Sequence, residues 1–408
     1  MGRLDAAYPQ LERLAIRIGR DERLLDLPPT LNYLTIPDFA LVFGDSDLEE
    51  DVNFRTRLAF PSDLRGLHIT GHGVSGKRLM LDFETNDFAK LRMLHIDNID
   101  TWQVFGAFPQ SLTCLVLDST PVIDFEQLEN LKVLHKLVLK RLPGMDQDIY
   151  KFPASLTLLT IRGCGLKKGI FDAPKLKTMH LEHNNLHEAN VDNFRVPDSV
   201  EELRVTNCNI SEITFELPRR LEALNMSHNG LRTFRDLPET LQYLLSDENS
   251  FKKDVEPSVF PLGLKYLSIP NSSINENWIR KLNLCKCSEL QHLDLLGNAI
   301  TRIDLRYLPR SLVVLDLSDN QLRTLPKNAR RLAKLEVLKL SFNSIVSNSI
   351  CEQKARGPLF GDSLKRIHLW YNRPRLSSSA TIALENELLS KPFVEELDVE
   401  LPALWRRY

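Results

Sequence analysis

The 408-residue chain has no apolar run approaching the roughly 18 residues a membrane-spanning helix needs, so no helical anchor is expected. Its six cysteines, Cys114, Cys164, Cys208, Cys285, Cys287 and Cys351, are scattered. That spacing argues against a disulfide framework and leaves Cys285-Lys-Cys287 without a second pair for a structural zinc site. Neither sign of charge is in excess: 52 Lys and Arg face 54 Asp and Glu, a net charge of −2. Nucleic acid and acidic membrane surfaces are therefore not expected as partners. Gly-x-Ser-x-Gly and His-Glu-x-x-His are both missing, which removes the common hydrolase and zinc-protease phrases. The first residues lack the apolar stretch of a secretion leader, and Ala6 stands where a myristoylation signal wants Ser or Thr. With no cysteine-rich cap at either end, the expected location is cytoplasmic or nuclear, where the sequons at Asn209, Asn225 and Asn271 carry no meaning.

What the chain has is one phrase written seventeen times. Variants of L-x-x-L-x-L begin at Leu11, Leu31, Leu64, Leu91, Leu112, Leu134, Leu156, Leu176, Val200, Leu221, Leu241, Leu264, Leu290, Leu312, Leu335, Leu364 and Val394. Most are 20 to 24 residues apart, with gaps of 33 and 27 early and 26, 29 and 30 late, which suits one short strand and one return segment per repeat. Alternation in L-x-L sends two side chains to one side of a strand, and the first Leu closes the same core from the strand entrance. An Asn stands eight residues after that Leu in seven copies, Asn184, Asn229, Asn249, Asn298, Asn320, Asn343 and Asn372, where it can bond backbone as the chain leaves the strand. Cys164 and Cys208 take that place in two others.

A second word precedes the first. Nine repeats carry Pro three residues before the first Leu: Pro28, Pro61, Pro109, Pro153, Pro197, Pro218, Pro238, Pro261 and Pro309. Proline fixes φ and has no donor, so these stretches predict extended approaches and a thin outer wall. Helices are expected only where the repeat is longer, after residues 36, 269, 345 and 373, with one over Ser377–Ser390 before a last strand at Val394–Val399.

On these residues the chain resembles the leucine-rich repeat superfamily, most specifically over 156–231 and 290–345. The resemblance implies an α/β solenoid: a single curved parallel sheet on the concave face, mostly extended or short-helical convex segments, and a protein-binding role. The unbroken repeat makes residues 1–408 one solenoid of about 17 repeats, with insertions near 37–60 and 346–363 and a capping segment at 373–408. Repeat stacks need caps, so either irregular first repeats seal the open edge or the polypeptide continues upstream. Phrases such as Phe152-Pro153-Ala-Ser-Leu156 also look like the irregular repeats of fungal and protist F-box proteins. That likeness implies substrate recognition for a cullin-type ubiquitin ligase, with the adaptor held by a region not visible in this chain. The alternative is a scaffold or a regulator of a phosphatase or small GTPase.

Other constellations meet a simpler explanation. Gly71-His-Gly-Val-Ser-Gly-Lys77-Arg78 nearly spells a phosphate loop, but Arg78 replaces the Ser or Thr that would bind magnesium, and a Gly-rich turn suffices. His180, Glu182, His183 and His187 have metal-ligand spacing, yet their repeat phase points them in different directions. His68 and His95 share a strand position in successive repeats and read as a polar surface ladder. Bacterial leucine-rich repeat ligases use a Cys-x-Asp nucleophile, which Cys351-Glu-Gln lacks. No cofactor or catalytic residue is expected.

Repeat phase also names the binding surface. Counting from the first Leu as zero, positions two, four and six face away from the core, with position seven beside them. This predicts a basic patch of Lys136, Lys140, Arg141 and Arg162, and an acidic one of Asp247, Glu248, Asp294, Asp316 and Asp319. Phe342, Arg366, His368, Trp370 and Tyr371 gather aromatics and cations, a composition typical of interface hot spots. Asp45, Asp47, Glu49, Glu50 and Asp51 make the first insertion acidic.

Overall fold

The structure is a computed structural model that describes residues 8–16, 27–39, 60–71, 78–84, 88–121, 124–251, 259–372, 376–389 and 396–398. The acidic insertion, the body of the Gly-rich loop and the last ten residues lie outside these. The chain divides into two compact units, Met1–Leu203 and Arg204–Tyr408.

In the first unit the strands are Arg13–Ala15 (β1), Tyr33–Phe39 (β2), Gly66–Gly71 (β3), Arg78–Asp82 (β4), Met93–Asp97 (β5), Thr101–Phe105 (β6), Cys114–Asp118 (β7), Lys136–Lys140 (β8), Ile149–Lys151 (β9), Leu158–Arg162 (β10), Gly169–Asp172 (β11), Thr178–Glu182 (β12) and Phe194–Arg195 (β13). Glu202–Thr206 (β14) contains the unit boundary. The repeat strands pair in parallel, β1-β2-β3-β5-β7-β8-β10-β12, and match the same repeat position, as in Leu115↔Leu137 and Leu137↔Leu159, except at the end of β2, where the register shifts and Phe39 faces Gly71. Behind them run two small parallel sheets, β4-β6 and β9-β11-β13. The outer wall is thus extended, as the prolines predict.

The second unit repeats the parallel ladder with Ala223–Asn225 (β15), Tyr243–Leu245 (β16), Tyr266–Ser268 (β17), His292–Asp294 (β18), Val314–Asp316 (β19), Val337–Lys339 (β20), Arg366–His368 (β21) and Glu396–Asp398 (β22). Short 3-10 turns at Leu284–Lys286, Leu305–Tyr307 and Ala329–Arg331 serve its back. Among the described residues there are four helices: Phe125–Glu129 (α1), Glu276–Lys281 (α2), Ser347–Ala355 (α3) and Ser378–Leu389 (α4). The last three stand where long repeats predict them. α1 is unforeseen, because its repeat has ordinary length; Asp124 caps it by accepting from the Glu126 N–H at 3.0 Å. Among the described residues no helix is long and apolar enough to cross a membrane.

Positions zero, three and five form the core. Leu112, Leu115 and Leu117 are fully buried, as are Leu156, Leu159 and Ile161, each side chain contributing about 1.5–3 kcal/mol. The prolines do more than keep the back thin. In each repeat whose entry is described, the Pro carbonyl accepts from the N–H of the first Leu, as in Leu156 N to Pro153 O at 2.9 Å, so Pro opens a tight turn that feeds the strand. The Ser or Thr just before that Leu then ties the turn to its predecessor: Ser155 Oγ donates to Leu134 O at 2.7 Å, Ser311 Oγ to Leu290 O at 2.7 Å and Thr240 Oγ1 to Leu221 O at 2.8 Å.

The eighth-position Asn clamps the repeat before it. Asn184 Oδ1 accepts from the N–H groups of Cys164 and Leu166, at 3.1 and 3.2 Å, while its Nδ2 donates to Ile161 O at 2.9 Å. Cys164 keeps a weak version of the donor half, its Sγ lying 3.6 Å from Leu139 O. Ser272 occupies the same position, its Oγ donating to Ser246 O at 3.1 Å and accepting from Asn249 N at 3.2 Å. Behind the first unit's ladder the core becomes aromatic. Tyr150 lies 5.4 Å from Phe171, and Phe171 5.8 Å from Phe194. Burial pushes the Tyr150 phenol up to about 12, partly offset by the Gln147 N–H that donates to it.

Candidate functional site

Position six ends the outward row and position seven turns the chain. There the backbone is left-handed in repeat after repeat: Asn98, Ser119, Arg141, Gly163, His183, Asn207, His228, Glu248, Asn271, Gly297, Asp319, Phe342 and Tyr371 have φ between 49° and 67°. The turn keeps the N–H in the ladder in most of these repeats, as Arg141 N donates to Arg162 O at 2.8 Å and Phe342 N to Trp370 O at 2.7 Å. It also carries the side chain clear of the core. The sequence does not announce this conformation by one residue type, but the prevalence of Asn, Gly, His and Asp is the signal that could have found it.

Two occupants stand out. Phe342 and Tyr371 are bulky, a poor match to a left-handed backbone, and they are 52% and 50% exposed. Their rings stack on one another with centroids 4.7 Å apart and planes 18° from parallel. Tyr371 therefore packs on its counterpart in the preceding repeat. Trp370 is partly buried beside it; its amide donates to Ser341 Oγ at 3.2 Å, while its indole Nε1 is buried with no hydrogen-bond partner among the described residues. Arg366 is exposed and His368 half-buried on β21, so the expected cluster shares one strand and the turn after it.

The charged patches are more compensated than their sequence suggests. Lys136 and Arg141 are exposed and Lys140 half-buried. Arg141, however, pairs with Asp118 at 2.7 Å and donates to Ser119 Oγ, and Arg162 lies 3.5 Å from Glu182. In the acidic patch Lys339 lies 3.1 Å from Asp316, Glu248 meets His228 Nδ1 at 3.0 Å, and Asp247 accepts from Asn271 Nδ2 at 3.1 Å. Burial raises the Asp294 carboxyl, with the neighbouring Asp316 adding to the effect, against the Leu296 N–H and Ser268 hydroxyl that donate to it. Asp319 is exposed at position seven.

The remaining histidine spacing separates in space: His180 faces Glu202 at 3.5 Å, His183 lies 3.4 Å from Arg162 Nη2, and His187 turns to Glu188 at 3.1 Å. A buried carboxylate was not foreseen. Glu387 of α4 accepts from the Leu359 and Phe360 N–H groups, at 2.9 and 3.3 Å, and from the Lys354 ammonium of α3, fastening the late insertion to the last helix.

Comparison with known proteins agrees with this architecture. The family described as leucine rich repeat matches residues 288–345. Human lumican is 28% identical over 287 residues, which cover 65% of this chain and 80% of lumican. Rabbit (Oryctolagus cuniculus) lumican is 30% identical over 172 residues, covering 40% of this chain and 85% of its own length. Among solved structures, a leucine-rich repeat protein of Leptospira interrogans superposes with a TM-score of 0.54 at 20% identity, over 93% of this chain and 96% of that one.

Proposed function

Because the chain belongs to the leucine-rich repeat superfamily, a protein-binding architecture of stacked strands, we propose that it recognises a folded protein partner through the exposed face of its repeat strands and the position-seven edge beside them. The stacked Phe342–Tyr371 pair carries this reading. A large side chain on a left-handed backbone costs on the order of 1–3 kcal/mol, and here two of them stay half exposed and return no core packing. Aromatics of this kind, flanked by Arg366, His368 and Trp370, match the anchors of protein interfaces. The paired charges of Asp316 and Glu248, in the same unit as the aromatic pair, suit a rim that sets orientation.

Placement in a ubiquitin ligase rested on the F-P-x-S-L phrase, which has a sufficient cause within the fold: the Pro turn and the inter-repeat hydroxyl bond. That role, and the intracellular location, stay as proposals to be checked by co-purification with cullin-ligase subunits and by imaging of the tagged chain. The binding face is tested by quantitative affinity capture from the native cell, comparing wild type with Phe342→Ala plus Tyr371→Ala. Partners are expected to fall by about tenfold or more, the loss of about 1.4 kcal/mol or more at a hot spot. Equal capture by two proteins of equal melting temperature would remove this surface from the reading.

A further inference from the structure

We propose that His68, His95 and Asp97 form a binding site for a divalent transition metal of the zinc class on the exposed strand face of the first unit. Register creates the cluster. β3 and β5 pair His68 directly with His95, and Thr70 with Asp97, so alternation puts all four side chains on one face. The imidazole rings lie parallel with centroids 4.0 Å apart. Both reach one carboxylate oxygen: Asp97 Oδ2 is 2.7 Å from His68 Nε2 and 3.5 Å from His95 Nε2. One donor atom from each residue falls within 4.8 Å of the others.

Those separations approach what a tetrahedral ion demands. Zinc binds imidazole nitrogen and carboxylate oxygen at about 2.0–2.2 Å, which sets ligand-to-ligand edges near 3.3 Å. The observed 2.7 and 3.5 Å bracket that edge. Two imidazoles and one carboxylate select a zinc-like ion over calcium or magnesium, which prefer all-oxygen shells, and leave a fourth position for water or another donor. Parallel rings direct their lone pairs side by side, so capture requires each ring to turn about Cβ–Cγ, a soft torsion. With side chains 36% and 33% exposed, the histidines have room to turn and the ion a path from solvent.

Burial, and then the neighbouring His68, pull the His95 pKa down. Asp97 and Asp118 oppose that pull and attract a cation; Lys140 adds to it and repels one. Thr70 Oγ1 donates to Asp97 Oδ2 at 3.0 Å and fixes the carboxylate. The His228, Asp247 and Glu248 cluster offers a contrast, with one imidazole and side chains of His228 and Glu248 that are 49% and 59% exposed.

The test is titration of the chelator-treated full chain with Co²⁺ alone at neutral pH, following its visible ligand-field absorption. One tetrahedral site per chain is expected. Asp97→Asn should weaken it at least about tenfold, His68→Gln with His95→Gln should abolish it, and His228→Gln should leave it unchanged. Binding should weaken as pH falls, because protons compete with the metal for its ligands. Since the double variant could alter the fold, carbethoxylation of wild type mapped by mass spectrometry supplies a second readout. Co²⁺ should shield His68 and His95 selectively. No shielding, a spectrum that survives the double substitution, or one lost in His228→Gln would each overturn the assignment.

Discussion

The two units spell the same repeat and execute it differently. In the first, most repeat strands run five residues or more, and a second layer of extended pairs, β4-β6 and β9-β11-β13, lies behind them. In the second, the repeat strands run three residues, and helices or 3-10 turns serve the back. Position four explains part of the contrast. Thr35, His68, His95, Val116, Val138, Thr160 and His180 hold it in the first unit and leave the backbone to the ladder. Asn225, Asp294 and Asp316 hold it in three repeats of the second, where each side chain accepts from the N–H two residues on, at 2.9 to 3.0 Å. That local turn competes with strand continuation. Leu245 and Lys339 end equally short strands with side chains that carry no acceptor.

The units also differ in what binds repeat to repeat. Asn ladders dominate the second, whereas the first has Asn184 alone at that position and leans also on Cys164, on Tyr150 stacked against Phe171 and on Phe194 set edge-on to Phe171. Breaking a ladder should therefore be the most damaging change. Asn343→Ala removes bonds to Leu322 N, Leu317 O, Leu340 O and Ser341 O and should lower stability by about 3 kcal/mol in denaturant unfolding. Cys164→Ala should lose only about 1 kcal/mol. Comparable losses would erase the distinction between the units.

Next in size is Gly169→Ala. Gly169 has φ +155°, and an added Cβ would sit 2.8 Å from the Tyr150 ring, so about 2 kcal/mol should be lost with the aromatic stack disturbed in near-ultraviolet dichroism. Ser155→Ala and Thr240→Ala probe the device the units share, and each should lose about 1 kcal/mol. A large difference between those two would show that the units differ at the strand entrance as well.

The smallest effect concerns pH. Burial raises the Asp294 carboxyl, so the folded state holds this proton more tightly than the unfolded chain. Its contribution is greatest below the ordinary carboxylate pKa and is lost as pH rises through the folded value. Asp294→Asn should raise the melting temperature by a degree or two at pH 7 and by nothing at pH 3. A gain at pH 3 equal to that at pH 7 would exclude the titration as its cause.

Much of this was legible in the sequence because the repeat has a period. Positions zero, three and five named the core, and the outward positions placed Arg366 and His368 on one strand, with Trp370 and Tyr371 in the turn after it. What escaped has no period or no local mark. The outer strands depend on facing one another, as Ile170 with Ile149 and Arg195, across segments whose composition reads only as extended. The histidine pair could be placed on adjacent strands, but that one Asp97 oxygen serves both rings depends on side-chain geometry. Glu387 is invisible for the same reason, an acidic residue in a helix until its partners, Leu359 and Phe360 some 27 residues upstream, are brought against it.

The Asn ladder gives the stack a direction. Each eighth-position side chain serves the repeat before its own: Asn372 accepts from Ile345 N, Asn343 from Leu322 N and Asn320 from Ile300 N. Removing a repeat from the C-terminal side strands buried amide donors in the one that remains. Removing one from the N-terminal side leaves only a polar side chain that water can serve. Loss of order within the second unit is therefore asymmetric, spreading more readily from the C-terminal side of its ladder than from the N-terminal side.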